Sequence, residues 1–247
     1  DVTYVTTDES AESVGRIMQK YDLVAIPVVD SIGRLVGRIT IDDVVDVIRE
    51  EAEKDYQMMS GISQDVESSD TVWDQTKARL PWLIIGLFGG MLAAYMISFY
   101  EADIALFPAT AMFIPVITAM GGNVGIQSSA IVVKGLASNS FNTKNIFQSI
   151  TKEISCATIN ACICSSIIFI LSLFFNLNSY AMPITVTISL FIVIMFASIF
   201  GTAFPLLLNK MKIDPALATG PFITLTNDII GLNIYLFTGK AILGWLM

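Results

Sequence analysis

Five long apolar runs occupy the last two thirds of the chain, and they constrain its fold more than any other feature. The runs are Trp82–Tyr100, Ile104–Val133, Ile154–Phe175, Met182–Asn209 and Pro215–Phe237. A helix of about 20 apolar residues spans the hydrocarbon core of a bilayer, so each run is long enough to cross a membrane. The sequence therefore predicts an α-helical membrane protein with five transmembrane helices, in contact with lipid, over residues 81–247.

The last run carries a single acidic residue, Asp228, and no other charged residue lies between Asp214 and Lys240. A carboxylate near the centre of a membrane helix costs about 2.5–3.5 kcal/mol on insertion scales, so such a residue is kept where it faces a polar cavity or an ion. Nearby oxygen-bearing residues are Thr224, Thr226 and Asn227. Pro221 is expected to free an upstream carbonyl as a further ligand. Oxygen donors with one carboxylate suit a hard cation such as Mg²⁺. The alternative is a buried Asp bonded to a neighbouring helix.

The second run is longer than one straight crossing needs and contains helix-disturbing residues. Pro108 and Pro115 predict kinks, and Gly121–Gly122–Asn123 predicts a polar, closely packed middle.

The first 80 residues differ sharply in charge from the rest. Residues 1–80 hold 17 acids and 8 bases, net −9, whereas residues 81–247 hold 5 acids and 6 bases, net +1. An acidic soluble piece argues against nucleic acid as a partner, because phosphate binding needs a basic surface. The chain has no histidine, and no nucleophile–base pair or phosphate-cradling loop is visible, so we expect no enzyme activity.

The N-terminal piece reads as a small α/β unit. The predicted elements are a strand at Thr3–Val5, a helix at Ser10–Lys20, strands at Ala25–Val29 and Leu35–Ile39, and a helix at Ile41–Tyr56. Thr7 or Asp8 is expected to cap the first helix, and Thr40 with Asp43 forms a capping box before the second. The predicted domains are residues 1–58, a connecting helix over 59–80, and the membrane domain over 81–247.

The helix that begins at Ile41 is strongly acidic. Its acids are Asp42, Asp43, Asp46, Glu50, Glu51, Glu53 and Asp55, and the connecting segment adds Asp65, Glu67, Asp70 and Asp74. Asp43, Asp46 and Glu50 lie on one face, where like charges repel by a few tenths of a kcal/mol per pair. A divalent cation between them would relieve that repulsion. The alternative is a solvated helix face.

The basic residues of the short loops alternate between the two sides of the membrane. Those on one side are Lys77, Arg79, Lys134, Lys144, Lys152, Lys210 and Lys212. Because Lys and Arg are enriched on the cytoplasmic side, the N-terminal unit is predicted to be cytoplasmic and the C-terminus outside, in a cell inner (plasma) membrane. Lys240 alone falls on the opposite side.

Three stretches resemble a known family. YDLVAIPVVDSIGRLVGRITIDDVVDVI is similar to the second half of a CBS-domain pair, and the chain begins inside a domain, so a preceding mate is expected. PVITAMGGNVGIQSS (Pro115–Ser129) and DPALATGPFITLTND (Asp214–Asp228) resemble the MgtE family of magnesium channels or transporters. The resemblance covers essentially the whole chain.

This resemblance implies a homodimer whose membrane domains form a Mg²⁺ path at the two-fold axis. Asp228 would select the ion, Asn123 would line the path, and Thr224 would hold the hydration shell. Ile126 departs from the family pattern, since polar residues are common there.

The resemblance also implies regulation, in which bound cytoplasmic Mg²⁺ favours a closed pore. The residues that match the regulatory pattern are Asp43, Asp46, Glu51 and Asp55. Lys54 stands where an acid is expected. A T-x-x-D motif in CBS pairs often contacts a ribose, so Thr40 and Asp43 make adenine nucleotide binding a further hypothesis.

Two other functions stay open at this stage. One is a proton- or sodium-coupled carrier that uses Asp228 as its titrating group. The other is a nucleotide-sensing receptor whose membrane helices only anchor the CBS unit.

Overall fold

The computed structural model of the chain describes residues 3–64, 66–137, 146–175, 180–218 and 220–245. Two residues named above, Asp65 and Lys144, lie outside the described residues. The chain divides into two compact units, residues 1–57 and 58–247.

The first unit is a three-stranded sheet with two helices. Its elements are β1 (Val5–Thr6), α1 (Ala11–Tyr21), β2 (Ala25–Val29), β3 (Leu35–Thr40) and α2 (Ile41–Met59), the last of which runs past the unit's end. β1 pairs parallel with β2, and β2 pairs antiparallel with β3. The core consists of Val5, Val14, Met18, Ile26 and Val44. Thus the predicted order of strand, helix, strand, strand and helix is present.

The start of this unit differs from the prediction in two details. The first strand is Val5–Thr6 instead of Thr3–Val5, because the amide of Thr7 extends the pairing to the carbonyl of Val29. With Thr7 held by the sheet, α1 is capped by Ser10, whose hydroxyl accepts from the amide of Ser13 at 3.2 Å.

The second unit is a bundle of long helices. They are α3 (Val72–Ser98), α4 (Glu101–Leu106), α5 (Ala109–Ala137), α6 (Ile146–Leu173), α7 (Ala181–Lys210) and α8 (Pro221–Trp245), with a short 3₁₀ turn at Pro215–Ala218. The connecting helix and the first apolar run form one continuous helix, α3. The second run is broken between α4 and α5 at Phe107–Pro108, as expected for proline, whereas Pro115 lies inside α5.

α7 is the central helix of the bundle, and α5, α6 and α8 all pack on it. Thirteen of its residues are buried, which is why a run without charges suits this position. The bundle core is completed by large side chains such as Phe113, Ile117 and Tyr235. The Tyr235 hydroxyl donates to the carbonyl of Thr110 at 2.8 Å and joins the C-terminal half of α8 to the start of α5.

Four helices of the described residues are long and apolar enough to cross a membrane: α3, α5, α6 and α7. The prediction of an α-helical membrane protein is thereby confirmed. α8 has 25 residues, which is long enough for a crossing. However, α8 contains Thr224, Thr226, Asn227, Asp228 and Asn233, so its composition alone does not mark it as a span. The fifth crossing remains a prediction.

Candidate ion site

The Asp228 carboxylate lies at the crossing of α5 and α8. Three glycines of α5, at 121, 122 and 125, let the two helices approach closely. A Cβ placed on Gly122 would lie 3.3 Å from Asp228 Oδ1 and 3.2 Å from Thr224 Cγ2. Asp228 and Thr224 therefore both contact α5 near its middle, and Asp228 is half-buried in the protomer.

The neighbouring residue Asn227 is the most deeply buried polar side chain of α8, with 1% of its surface exposed. Its amide packs against Gly125, where a Cβ would collide with it. Neither its Nδ2 nor its Oδ1 has a hydrogen-bond partner among the described residues. A buried amide without a partner costs about 1–3 kcal/mol, so the crossing tolerates an unfavourable group one residue before the acid.

Thr224 stands one turn before Asp228. Its hydroxyl donates to the carbonyl of Gly220 at 3.0 Å and keeps its lone pairs for an incoming donor or ion. Pro221 is the first residue of α8, a position where a missing amide hydrogen costs nothing. Because Pro221 begins α8 and no residue of this helix precedes it, its missing amide hydrogen leaves no carbonyl of α8 without a partner.

Asn123 follows Gly122, and its side chain is exposed on the isolated protomer. It belongs to an exposed stripe of α5 at helical spacing, which comprises Met112, Val116, Ala119, Asn123 and Gln127. Gln127 was not anticipated, although its i, i+4 spacing from Asn123 is readable in the sequence. An apolar helix face thus carries two amides near mid-span, beside the helix crossing that holds Asp228.

The segment after α2 packs on the beginning of α8. A Cβ on Gly61 would lie 2.7 Å from Pro221 Cγ, and a Cβ on Gly220 would collide with the carbonyl of Met59. Ser63 donates to the carbonyl of Ala78 through both its amide and its hydroxyl, at 2.9 and 2.8 Å. This segment therefore contacts α3 and the first residue of α8, about one turn from Thr224.

The acidic helix of the first unit exposes Asp43, Asp46 and Glu51, whereas Asp55 is half-buried. Asp43 Oδ2 accepts from the amide and the hydroxyl of Thr40, at 2.9 and 2.7 Å. These two bonds, the backbone one first, hold the pKa of the Asp43 carboxyl below its usual value. Asp43 therefore stabilises the start of α2.

These four acids do not form a closed metal site within the protomer. Across the part of the chain that the structure describes, no three Asp, Glu, Cys or His side chains converge as metal ligands. Their role as regulatory ligands stays a prediction, as does nucleotide binding by Thr40 and Asp43.

The architecture is that of a multi-pass helical membrane protein with a CBS-type unit and a half-buried acid at the crossing of two helices. Residues 114–238 match the MgtE family, described as divalent cation transporters, and residues 1–50 match the CBS domain. The chain belongs to the MgtE family.

Curated relatives agree with this assignment. A protein of Bacillus subtilis named magnesium transporter MgtE is 37% identical over 92% of this chain and 50% of its own length. Relatives of the same name from Thermus thermophilus and Enterococcus faecalis are 31% and 33% identical, over 98% and 95% of this chain and 54% and 51% of their own lengths. The chain thus spans about half the length of the curated relatives it matches.

Proposed function

We propose that this chain conducts Mg²⁺ across the plasma membrane down its electrochemical gradient, with Asp228 at the centre of the ion path. The observation that carries the proposal is the position of Asp228 at the crossing of α5 and α8. Asp228 lies against Gly122, and the next residue of α5, Asn123, has an exposed side chain. Amides that face hydrocarbon lose their hydrogen bonds at a cost of several kcal/mol. The Asn123–Gln127 face therefore fits a water-filled path better than lipid. The choice of Mg²⁺ as the ion is based on the relatives, which are named magnesium transporters.

A homodimer follows from the charge of the site. One protomer offers a single carboxylate at this depth of α8, which cannot neutralise a divalent ion. A two-fold axis along the exposed face of α5 would bring two Asp228 carboxylates to one ion. Retained waters, held by Thr224 and Asn123, would complete the near-octahedral coordination that Mg²⁺ requires.

Flux of Mg²⁺ into liposomes, followed with an internal fluorescent indicator, tests the proposal. Asp228→Asn keeps the side-chain volume and removes the charge. We expect Asp228→Ala to abolish Mg²⁺ uptake and Asp228→Asn to fail almost as badly. Glu101→Gln, an exposed acid of α4, is the matched control and should transport normally. Uptake by Asp228→Asn at the parental rate and selectivity would show that Asp228 is not the ion site. Flux that depends on a proton or sodium gradient would favour the coupled carrier instead.

We further propose that cytoplasmic Mg²⁺ closes the path by binding at the acidic helix α2. Without a cation, the acids of α2 and those of the connecting segment repel each other, and a divalent ion removes that repulsion. The contact of Met59 and Gly61 with the first residues of α8 supports a short route from α2 to Thr224. A bound ion shifts such an equilibrium only by its differential affinity, so ~2–3 kcal/mol corresponds to a population shift of roughly 30- to 150-fold.

Replacement of the charges on Asp46 and Glu51 tests this regulation, because neither side chain has the capping bonds of Asp43. Patch recordings with controlled internal Mg²⁺ should show that Asp46→Asn with Glu51→Gln conducts but no longer closes at millimolar Mg²⁺. Closure at the parental concentration would mean that α2 is only a solvated surface.

A further inference from the structure

Besides Asp228, the bundle holds a further acidic side chain, Glu153, which lies within the candidate span of α6. Its Oε1 accepts from the hydroxyl of Ser128 at 2.6 Å and from that of Ser198 at 2.9 Å. The two serine oxygens lie 3.1 Å apart. Ser128 belongs to α5 and Ser198 to α7, so one carboxylate oxygen joins three helices. Both serines are almost fully buried, at 3% and 1% exposure.

This cluster lies beside a close backbone contact between α5 and α7. One turn from the two serines, a Cβ on Gly201 of α7 would lie 2.5 Å from the carbonyl oxygen of Gly125 in α5. Gly125 in turn receives the side chain of Asn227, next to Asp228. Ser128 is six residues beyond Gly122, about 9 Å along α5 at the rise of an α-helix. The hydrogen bonds of Glu153 therefore hold α5 just beyond the segment that contacts Asp228.

The surroundings of Glu153 do not suit a hydrated ion. The adjoining cavity between α6 and α7 has a volume of about 60 Å³. Besides Glu153 and Thr202, it is lined by Ile150, Ile154, Ile199 and Ala203. A hydrated divalent ion needs more room and more oxygen atoms than such a space supplies. Hydrogen bonds to a charged acceptor, by contrast, are about twice as strong as neutral ones and fix geometry well.

We infer that Glu153 is a positioning residue of the ion path: through Ser128 and Ser198 it sets the place of α5, and with it the spacing between Asn123 and Asp228. The inference rests on the proposed function of Asp228. It differs from a role as ion ligand in what it requires of residue 153. A ligand needs the negative charge, whereas a positioning residue needs an oxygen that accepts two hydroxyl bonds. The amide oxygen of glutamine supplies that oxygen without the charge.

The test compares Glu153→Ala with Glu153→Gln in liposome uptake, measured over a range of Mg²⁺ concentrations. Glu153→Ala should raise the half-saturating Mg²⁺ concentration by about 2- to 30-fold, the range for residues that act on a site they do not contact. Glu153→Gln should recover most of the parental value. Ser198→Ala, which removes one of the two bonds, should fall between the parent and Glu153→Ala. In a Ser198→Ala background, Glu153→Ala should cost less than it does alone, because the two residues share one interaction.

Ser155→Ala and Ser166→Ala are the matched controls, since both hydroxyls lie on α6 and, among the described residues, donate to carbonyls of their own helix, at 2.9 and 2.7 Å. They should leave the half-saturating concentration unchanged. Parental affinity in Glu153→Ala, or a loss in Glu153→Gln as large as in Glu153→Ala, would overturn the inference. If Glu153→Ala does not assemble, Ser198→Ala should raise the half-saturating concentration more than Glu153→Gln does. A Ser198→Ala value at or below that of Glu153→Gln would then overturn the inference. Normal uptake by Asp228→Asn would instead refute the proposed function, whatever the Glu153 variants do.

Discussion

Gly122 and Asp228 face each other across the α5–α8 crossing, so closely that a Cβ on Gly122 would lie 3.3 Å from Asp228 Oδ1. A gap of this size holds no additional atom without a small displacement of the carboxylate. Because Gly122 has no side chain, the Asp228 carboxylate of α8 can lie directly against the backbone of α5. Gly122 contributes to the site through the space that it leaves.

Gly122→Ala should therefore alter ion binding more than stability. The added methyl group has to displace Asp228 and Thr224 by a few tenths of an ångström, while alanine improves helix propensity by up to ~1 kcal/mol. We expect a several-fold higher half-saturating Mg²⁺ concentration with little change in melting temperature. Gly86→Ala in α3, where a Cβ meets nothing within 4 Å, is the control. Parental affinity in Gly122→Ala would show that Asp228 tolerates the displacement.

Gly201→Ala, by contrast, should alter stability more than ion binding. Its Cβ would lie 2.5 Å from the backbone oxygen of Gly125, so a helix must move, and overpacking of this kind costs about 1–3 kcal/mol. We expect a lower melting temperature of the detergent-solubilised protein than for Gly90→Ala, whose Cβ has no neighbour. Equal melting temperatures would mean that the α5–α7 contact is looser than described.

Asp43 makes the stability of the α2 N-terminus depend on pH. Its pKa is lowered by the hydrogen bonds from Thr40, so the charged form is the one that stabilises the fold. This contribution is complete above the ordinary range of carboxylates, about pH 4. It is lost as the pH falls through the lowered pKa of the folded state. Hydrogen exchange at the first amides of α2 should accelerate in Asp43→Ala at pH 7. No such acceleration is expected in Asp42→Ala, an acid without these bonds.

Lys240 and Asp103 form an ion pair at 3.0 Å between α8 and α4. In the predicted topology, in which Lys240 falls on the side opposite to the other bases, this pair gives the lysine a partner. If the C-terminus is outside, cysteines that replace Lys240 or Asp103 should react with a membrane-impermeant thiol reagent added to intact cells. A cysteine at Lys212 should react only after permeabilisation. The background carries serine at the three native cysteines, Cys156, Cys162 and Cys164. The reverse pattern would invert the proposed topology.

Asn123 should approach its own copy in the proposed dimer. In the same cysteine-free background, Asn123→Cys is expected to form a disulfide-linked dimer on mild oxidation in membranes. Ile163→Cys, on an exposed face of α6, should remain monomeric on denaturing gels. Efficient cross-linking through residue 163 but not through residue 123 would place the two-fold axis elsewhere.

The sequence predicted most of the helices because their apolar runs are long and their breaks are marked. Pro108 separates α4 from α5, and Gly121–Gly122 gives the close packing expected from small residues. Asp228 was readily selected as a candidate ion-site residue, because it is the single acid of the last run. These features depend on local composition, which a sequence displays.

Features that depend on tertiary pairing were not predictable in the same way. Three residues near the start of α1 are capable of capping it, and the pairing of Thr7 with Val29 leaves the role to Ser10. Glu153 was overlooked because the third run was predicted to begin at Ile154, whereas α6 begins at Ile146. Its partners are serines on two other helices, 25 and 45 residues away, and no local pattern connects them.

The polarity of α8 has a consequence for how the protein is made. A segment that contains Asn227, Asp228 and Asn233 partitions poorly into lipid by itself. During synthesis α8 leaves the ribosome after α7, on which it packs, and after α5, which receives its polar side chains at Gly122 and Gly125. If α8 is the predicted fifth crossing, its entry into the membrane is a folding reaction against a protein surface already in place. The order of the helices along the chain thereby becomes part of the biogenesis of the ion path.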